Sequence, residues 1–183
     1  MGNHLEIGLI ERCKKGDNSA FGPLINSYKR QLYSYLWKLC GDKMTAEDLF
    51  QETLIKAWKG MNGYNEQNKF SSWLFSIAHN TALDNHRKTK TRKSVMTTGE
   101  LPDHSDNITV VNRLDAEELK AMINTAVDEL PPRQKRVFLL RQHGEMKFKE
   151  IAEITGEPLN TVLAHMSYAV KKLKKVIEVR NAV

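Results

Sequence analysis

The sequence predicts an all-α protein made of two small helical domains joined by a flexible linker, the C-terminal one a four-helix unit with a helix-turn-helix. Three observations predict it. Apolar residues recur at three- and four-residue spacing through most of the chain, and no alternating strand pattern survives. The stretch 94–112 loses that periodicity and fills with Gly99, Pro102, Ser105 and several Thr, Asp and Asn residues, the composition of a linker. The segment Lys147–Lys175 reads as two short helices about a tight turn, with Ala152, Gly156 and Val162 at the small, turn and packing positions. The divisions are therefore residues 1–93, a linker at 94–112, and 113–183.

Each element has its own signal. Residues 5–15 form a helix with Leu5, Leu9 and Cys13 on one side, stopped by Gly16. Asp17, Asn18 and Ser19 offer caps for one longer helix to about Cys40, with Pro23 tolerated near its start. Its apolar stripe is Phe21, Leu24, Tyr28, Leu32, Tyr35, Leu36 and Leu39, and Gly41 ends it. Thr45 begins a third helix with Asp48 as capping-box partner, turning Ala46, Leu49, Phe50, Thr53, Leu54, Ala57 and Trp58 inward. Asp48, Gln51, Glu52, Ile55 and Lys59 are left on the outer surface. An apolar residue inside a polar stripe points to a partner surface. Gly60–Lys69 is a polar loop. Ser71 or Ser72 caps a fourth helix, aromatic in its first half and cationic in its second, with Arg87, Lys88, Lys90, Arg92 and Lys93.

The second domain begins near Arg113. Leu114, Leu119, Met122, Ile123, Ala126, Val127 and Leu130 mark a helix that Pro131-Pro132 ends, and a helix from Arg133 to about His143 follows. The helix-turn-helix completes the unit. Val162, Met166, Ala169 and Leu173 are the buried face of its second helix, the one that enters the major groove of DNA in such motifs.

Composition narrows the function. Apolar content of 40% with 8% aromatics supplies packed cores, and a net charge of +6 over 183 residues favours an anionic partner such as nucleic acid. Cys13 and Cys40 are the only cysteines and form no CxxC pair, which argues against a disulfide scaffold or zinc ribbon and fits a reducing compartment. His79 and His86 lie on roughly one helical side with no third ligand, so no metal site is expected. No signal sequence and no apolar run near 18 residues is present, so we expect a cytoplasmic protein without membrane insertion. The sequence has no Gly-rich phosphate loop, GxSxG, HExxH or ordered Cys/His pair, so we expect neither enzymatic activity nor a cofactor.

Two nucleic-acid-facing features remain, one in each domain. Tyr64, Phe70, Trp73 and Phe75 precede the 87–93 cations, an arrangement in which rings stack on unpaired bases and cations track phosphates. Core packing is the competing role for Trp73 and Phe75. Asn80, Asp84 and Arg87 share one face, where Asp84 has Arg87 or Lys88 as ion-pair partners.

At this point the sequence resembles the extracytoplasmic-function sigma factors of bacterial RNA polymerase. GDNSAFGPLINSYKRQLYSYL resembles the family's opening helix, and TAEDLFQETLIKAW is close to its AEDxxQExxxxAW signature. KFSSWLFSIAHNTALDNHRK resembles FxxWLxxIAxNxxxDxxR, and the stretch from Leu130 to Lys174 resembles the C-terminal domain. The resemblance implies a protein that binds core RNA polymerase, directs it to promoter DNA and helps melt the −10 element. By position it implies clamp contacts from Asp48, Gln51, Glu52 and Ile55. Capture of flipped-out bases maps to the Asn62–Ser71 loop and the next helix: Lys69, Phe70, Trp73, Asn80, Asp84, Arg87 and Lys88, with Asn80 foremost. The linker, locally acidic at Glu100, Asp103 and Asp106, would thread into the polymerase cleft or RNA exit path. Such factors are usually held by an anti-sigma factor.

The −35 contacts implied are Asn160, Thr161, Leu163, His165, Ser167 and Lys171, and here the chain departs from the family's pattern. The family's recognition helix commonly reads like TVKSRLxRA, whereas no Lys or Arg lies between Asn160 and Val170. A bidentate Arg-to-guanine contact is worth roughly 1–3 kcal/mol of discrimination, and this helix has none to offer. Lys171, Lys172, Lys174 and Lys175 supply phosphate attraction without sequence information, so shape and phosphate geometry are expected to carry much of the recognition. Two other readings compete: a free-standing helix-turn-helix regulator that binds an operator alone, and an adaptor whose motif contacts only protein. The TAEDLFQETLIKAW stretch separates them, since a plain repressor has no use for a clamp-binding helix.

Overall fold

The computed structural model describes residues 4–65, 69–95 and 116–181, all in helices and their connections. Most of the expected linker, together with Arg113 and Leu114, lies outside the described residues. Helix α1 (His4–Lys14) buries Ile10 and Cys13; Leu5, expected on that side, is 74% exposed. Asp17 caps α2 (Asn18–Asn26) by accepting the Ser19 N–H at 2.9 Å, and Arg12 Nε donates to the same carboxylate at 2.8 Å.

The long helix expected up to Cys40 is two helices. The chain breaks at Ser27–Tyr28 before α3 (Lys29–Cys40). Ser27 Oγ donates to the Leu24 carbonyl and the Tyr28 N–H to that of Ile25, local bonds that compete with helix continuation. Tyr28 gains a distant partner by the break, donating its hydroxyl to Glu6 at 2.8 Å.

Gly41, at φ +75°, closes α3 in the left-handed conformation, its N–H donating to the Trp37 carbonyl. That turn leaves Asp42 extended, its carboxylate accepting from Thr45 N at 2.7 Å. Helix α4 (Lys43–Gly60) therefore starts two residues before the expected Thr45, and Asp48 has no capping role. A 3-10 turn (Met61–Gly63) leads to the loop, and α5 (Phe70–Val95) begins one residue ahead of the serines expected to cap it. Helix α5 continues into the first two positions assigned to the linker.

The C-terminal unit has the four expected helices: α6 (Ala116–Asp128), α7 (Pro132–His143), α8 (Phe148–Thr155) and α9 (Leu159–Asn181). Pro132 stands at the first position of α7, where a missing N–H is harmless. Gly156 at φ +67° makes the turn between α8 and α9, as its position required. Ile151, Val162, Ala169 and Leu173 are buried, and α9 packs against α6, α7 and α8.

One buried cluster runs through both units. Helix α3 packs on α7, and α5 meets α8. Gly144 sits at this junction: a Cβ there would lie 3.1 Å from Cγ of Phe75 on α5. Lys38 Nζ donates to Asn124 Oδ1 at 2.9 Å across the same junction.

Candidate functional site

Three surfaces carry the residues singled out by the sequence. On α4, Ala46, Leu49, Thr53 and Ala57 are buried, and the opposite side presents Asp48, Gln51, Glu52 and Ile55, the last 55% exposed. Glu52 pairs with Lys56 at 2.8 Å, and Lys56 also donates to Thr81 on α5. Met44 lies one turn before Asp48 on this ridge and is 75% exposed. Sequence reasoning missed it by starting the helix at Thr45. The signal was Gly41-Asp42, a left-handed turn followed by a good cap. The ridge is thus acidic and amide-bearing, with an apolar side chain at either end.

The second surface is the start and outer face of α5. Phe70, 1% exposed, is a core ring, packed 5.5 Å from Tyr28, 5.5 Å from Tyr64 and 5.4 Å from Trp73. Burial places it beneath the surface that it was expected to form, supporting its neighbours. Trp73 is half-buried with one ring edge against Gly60, where a Cβ would come within 3.3 Å, while Phe75 is fully buried. Lys69 is exposed at the start of the helix. Asn80, Asp84, Arg87 and Lys88 are all exposed, and Asp84 lies 3.8 Å from Arg87, the ion pair that the spacing anticipated. From Trp73 to Arg87 this face is ~21 Å long.

His79 and His86 do not form a site. His79 is buried, its Nδ1 3.0 Å from the Tyr35 hydroxyl, and burial with the nearby Arg136 charge lowers its pKa to about 4. His86 is exposed. No group of three or more His, Cys, Asp or Glu residues set to hold a metal occurs among the described residues. Burial pushes both thiols, Cys13 and Cys40, upward, which keeps them protonated and unreactive at neutral pH.

The third surface is the exposed face of α9: Asn160, Leu163, Ala164, Ser167, Tyr168 and Lys171. Thr161 is half-buried, its N–H donating to the Pro158 carbonyl. His165 is turned off this face. Its side chain is 18% exposed, with Nε2 3.5 Å from Glu157 Oε2, and Arg133 approaches the other oxygen of Glu157 at 3.9 Å. Lys172 is likewise engaged, bonding the Glu129 carbonyl at 2.9 Å and its carboxylate at 3.3 Å, while Lys171, Lys174 and Lys175 remain exposed.

Residues 24–92 match the family model for sigma-70 region 2, and residues 120–173 match that for sigma-70 region 4. Over 174 residues the chain is 30% identical to the ECF RNA polymerase sigma factor SigW of Bacillus subtilis, covering 91% of this chain and 93% of that protein. The chain belongs to the extracytoplasmic-function sigma factors. It is also 30% identical to the ECF sigma factor BldN of Streptomyces coelicolor, covering 92% of this chain and 64% of that one. Two solved structures share the fold of this sigma factor. RpoE of Bartonella quintana, solved with the anti-sigma factor NepR, has a TM-score of 0.71 at 21% identity, covering 87% of this chain and 97% of that one. CnrH, solved with the cytosolic domain of CnrY, has a TM-score of 0.65 at 19% identity, covering 96% and 98%. Region 2 of this sigma factor thus contains the α4 ridge and the outer face of α5, and region 4 contains α9 up to residue 173.

Proposed function

We propose that this sigma factor docks on core RNA polymerase through the α4 ridge, opens the −10 element with the face of α5, and anchors on the −35 element through α9. The ridge carries the reading. Asp48, Gln51, Glu52 and Ile55 point away from the core, and an apolar side chain that stays exposed among carboxylates is best used by covering it with a protein partner. Separating base pairs costs a few kcal/mol per step, so a melted strand needs compensating contacts for its unpaired bases. Asn80 presents an amide with two donors and an acceptor in the middle of the α5 face. Trp73 adds a half-exposed ring, and Lys69, Arg87 and Lys88 supply charge for the backbone.

The protein acts by non-covalent binding and needs no cofactor of its own. Its site of action is the cytoplasm, consistent with there being no helix among the described residues long and apolar enough to cross a membrane. The complex of RpoE with NepR supports an anti-sigma factor as a further partner of this chain. The deciding experiment mixes the protein with bacterial core polymerase and a promoter library. Promoter-specific run-off transcripts are expected; the absence of any transcript refutes the reading.

A further inference from the structure

We infer that region 4 of this sigma factor reads an A·T-rich −35 element, using thymine methyl contacts and one adenine-directed amide and offering no bidentate guanine contact. The inference rests on the proposal that α9 lies in the major groove at −35, and it names the kind of sequence read there.

The six residues Asn160, Leu163, Ala164, Ser167, Tyr168 and Lys171 line the exposed side of α9, each three or four residues from one a turn away. A recognition helix meets base edges with its N-terminal turns, so Asn160 to Tyr168 are the readers. Guanine shows two acceptors in the major groove, and the side chains that satisfy both are Arg and Lys. Within α9 neither type occurs before Lys171, which is ~16 Å along the helix from Asn160. His165 is the one other ring-nitrogen donor on this stretch, and its ring faces Glu157 instead of the groove.

What the face does offer is apolar surface and small size. Leu163 is 41% exposed and Tyr168 is 61% exposed, with Ala164 between them. The C5-methyl of thymine is the one apolar group that a base pair displays in the major groove, and Ala and other apolar side chains are its partners. Asn160 completes the set, because a carboxamide bonds the N6 and N7 of adenine together. Ser167 is indifferent, accepting or donating to either pair. Lys171, Lys174 and Lys175 then hold phosphates without regard to sequence. Recognition by groove shape and phosphates alone would leave the methyls irrelevant, so removing them separates the two accounts.

The test uses holoenzyme reconstituted from the full chain and bacterial core polymerase. Promoters are selected from a library randomised at both elements, and thymines of the selected −35 element are then replaced by deoxyuridine, which lacks only the methyl. The selected elements should be dominated by A·T pairs. Binding should weaken about fourfold for each contacted methyl removed. Leu163→Ala and Tyr168→Ala should weaken binding to the thymine template and change little on the deoxyuridine one. Selection of guanine-containing −35 elements, or equal binding to thymine and deoxyuridine templates, overturns the inference. Promoter-specific transcription without any −35 preference also overturns it while leaving the sigma activity standing; a complete lack of transcripts overturns both.

Discussion

The Tyr35 hydroxyl lies 3.0 Å from Nδ1 of His79, joining α3 to α5 inside a core that buries both side chains. His79 has its pKa lowered from 6.5 to about 4, first by burial and then by Arg136 on the facing helix α7. A histidine depressed in this way binds its proton more readily when the chain is unfolded. Its contribution is complete above pH 6.5 and is lost progressively as pH falls towards 4, by about 3 kcal/mol in all. His143, also lowered by burial and by Lys38, acts in the same direction. Thermal unfolding followed between pH 7 and 4 should show this fall, and His79→Gln should flatten it. A melting temperature that stays constant over that range would refute the assignment.

Charge reversal on α4 should separate binding from folding. Asp48→Arg with Glu52→Arg removes only one exposed ion pair, Glu52–Lys56, worth less than ~1 kcal/mol. The circular dichroism spectrum and melting temperature should be near wild type. Affinity for core polymerase should fall about a hundredfold or more. Met44→Ser should weaken it further in the same titration. Unchanged affinity in the double variant would move the docking surface elsewhere.

Asn80→Ala addresses strand opening. The residue is exposed, so the fold should be unaffected. Loss of one or two hydrogen bonds to an unpaired base, about 1–1.5 kcal/mol, should reduce permanganate reactivity of −10 thymines roughly tenfold. Binding to closed duplex should change much less. Equal opening by the variant would place the base pocket away from α5.

Gly144→Ala examines the junction of the two regions. The backbone there is ordinary, at φ −86°, so the effect is purely steric. A methyl there would lie 3.1 Å from Cγ of Phe75, a fully buried ring across the junction that has little room to give. We expect destabilisation of about 1–3 kcal/mol, read as a lower melting temperature. A neutral substitution would mean that Phe75 and α7 do not pack this closely in solution.

The parts legible in the sequence are those fixed by local chemistry. Gly41, Gly156 and the Pro131-Pro132 pair stop or turn the chain by their own backbone preferences, and the buried face of α9 follows from spacing alone. The Asp48–Ile55 stripe was visible for the same reason: one helix defines its own faces. The errors arose where two local options were balanced. The break at Ser27–Tyr28 depends on Tyr28 reaching Glu6, 22 residues away, and the start of α4 turned on Asp42 capping ahead of Thr45. For the site, Phe70 and His165 had the right residue type but not the right direction. Only tertiary packing reveals that one is covered by Tyr28, Tyr64 and Trp73 and that the other turns to Glu157.

The packing of α3 on α7, clasped by Lys38 and Asn124, has a consequence for reach. The −10 and −35 elements are centred ~25 base pairs apart, ~85 Å of duplex. A folded chain of this length has a radius of gyration of ~16 Å. Held together, regions 2 and 4 span less than half of that separation, so the docking proposed above, with a promoter engaged at both elements, requires the clasp to release. The free protein then binds promoters only through its opened fraction, and apparent affinity falls in proportion to that fraction. On that docking, a partner that holds the two regions apart raises promoter affinity without touching a base.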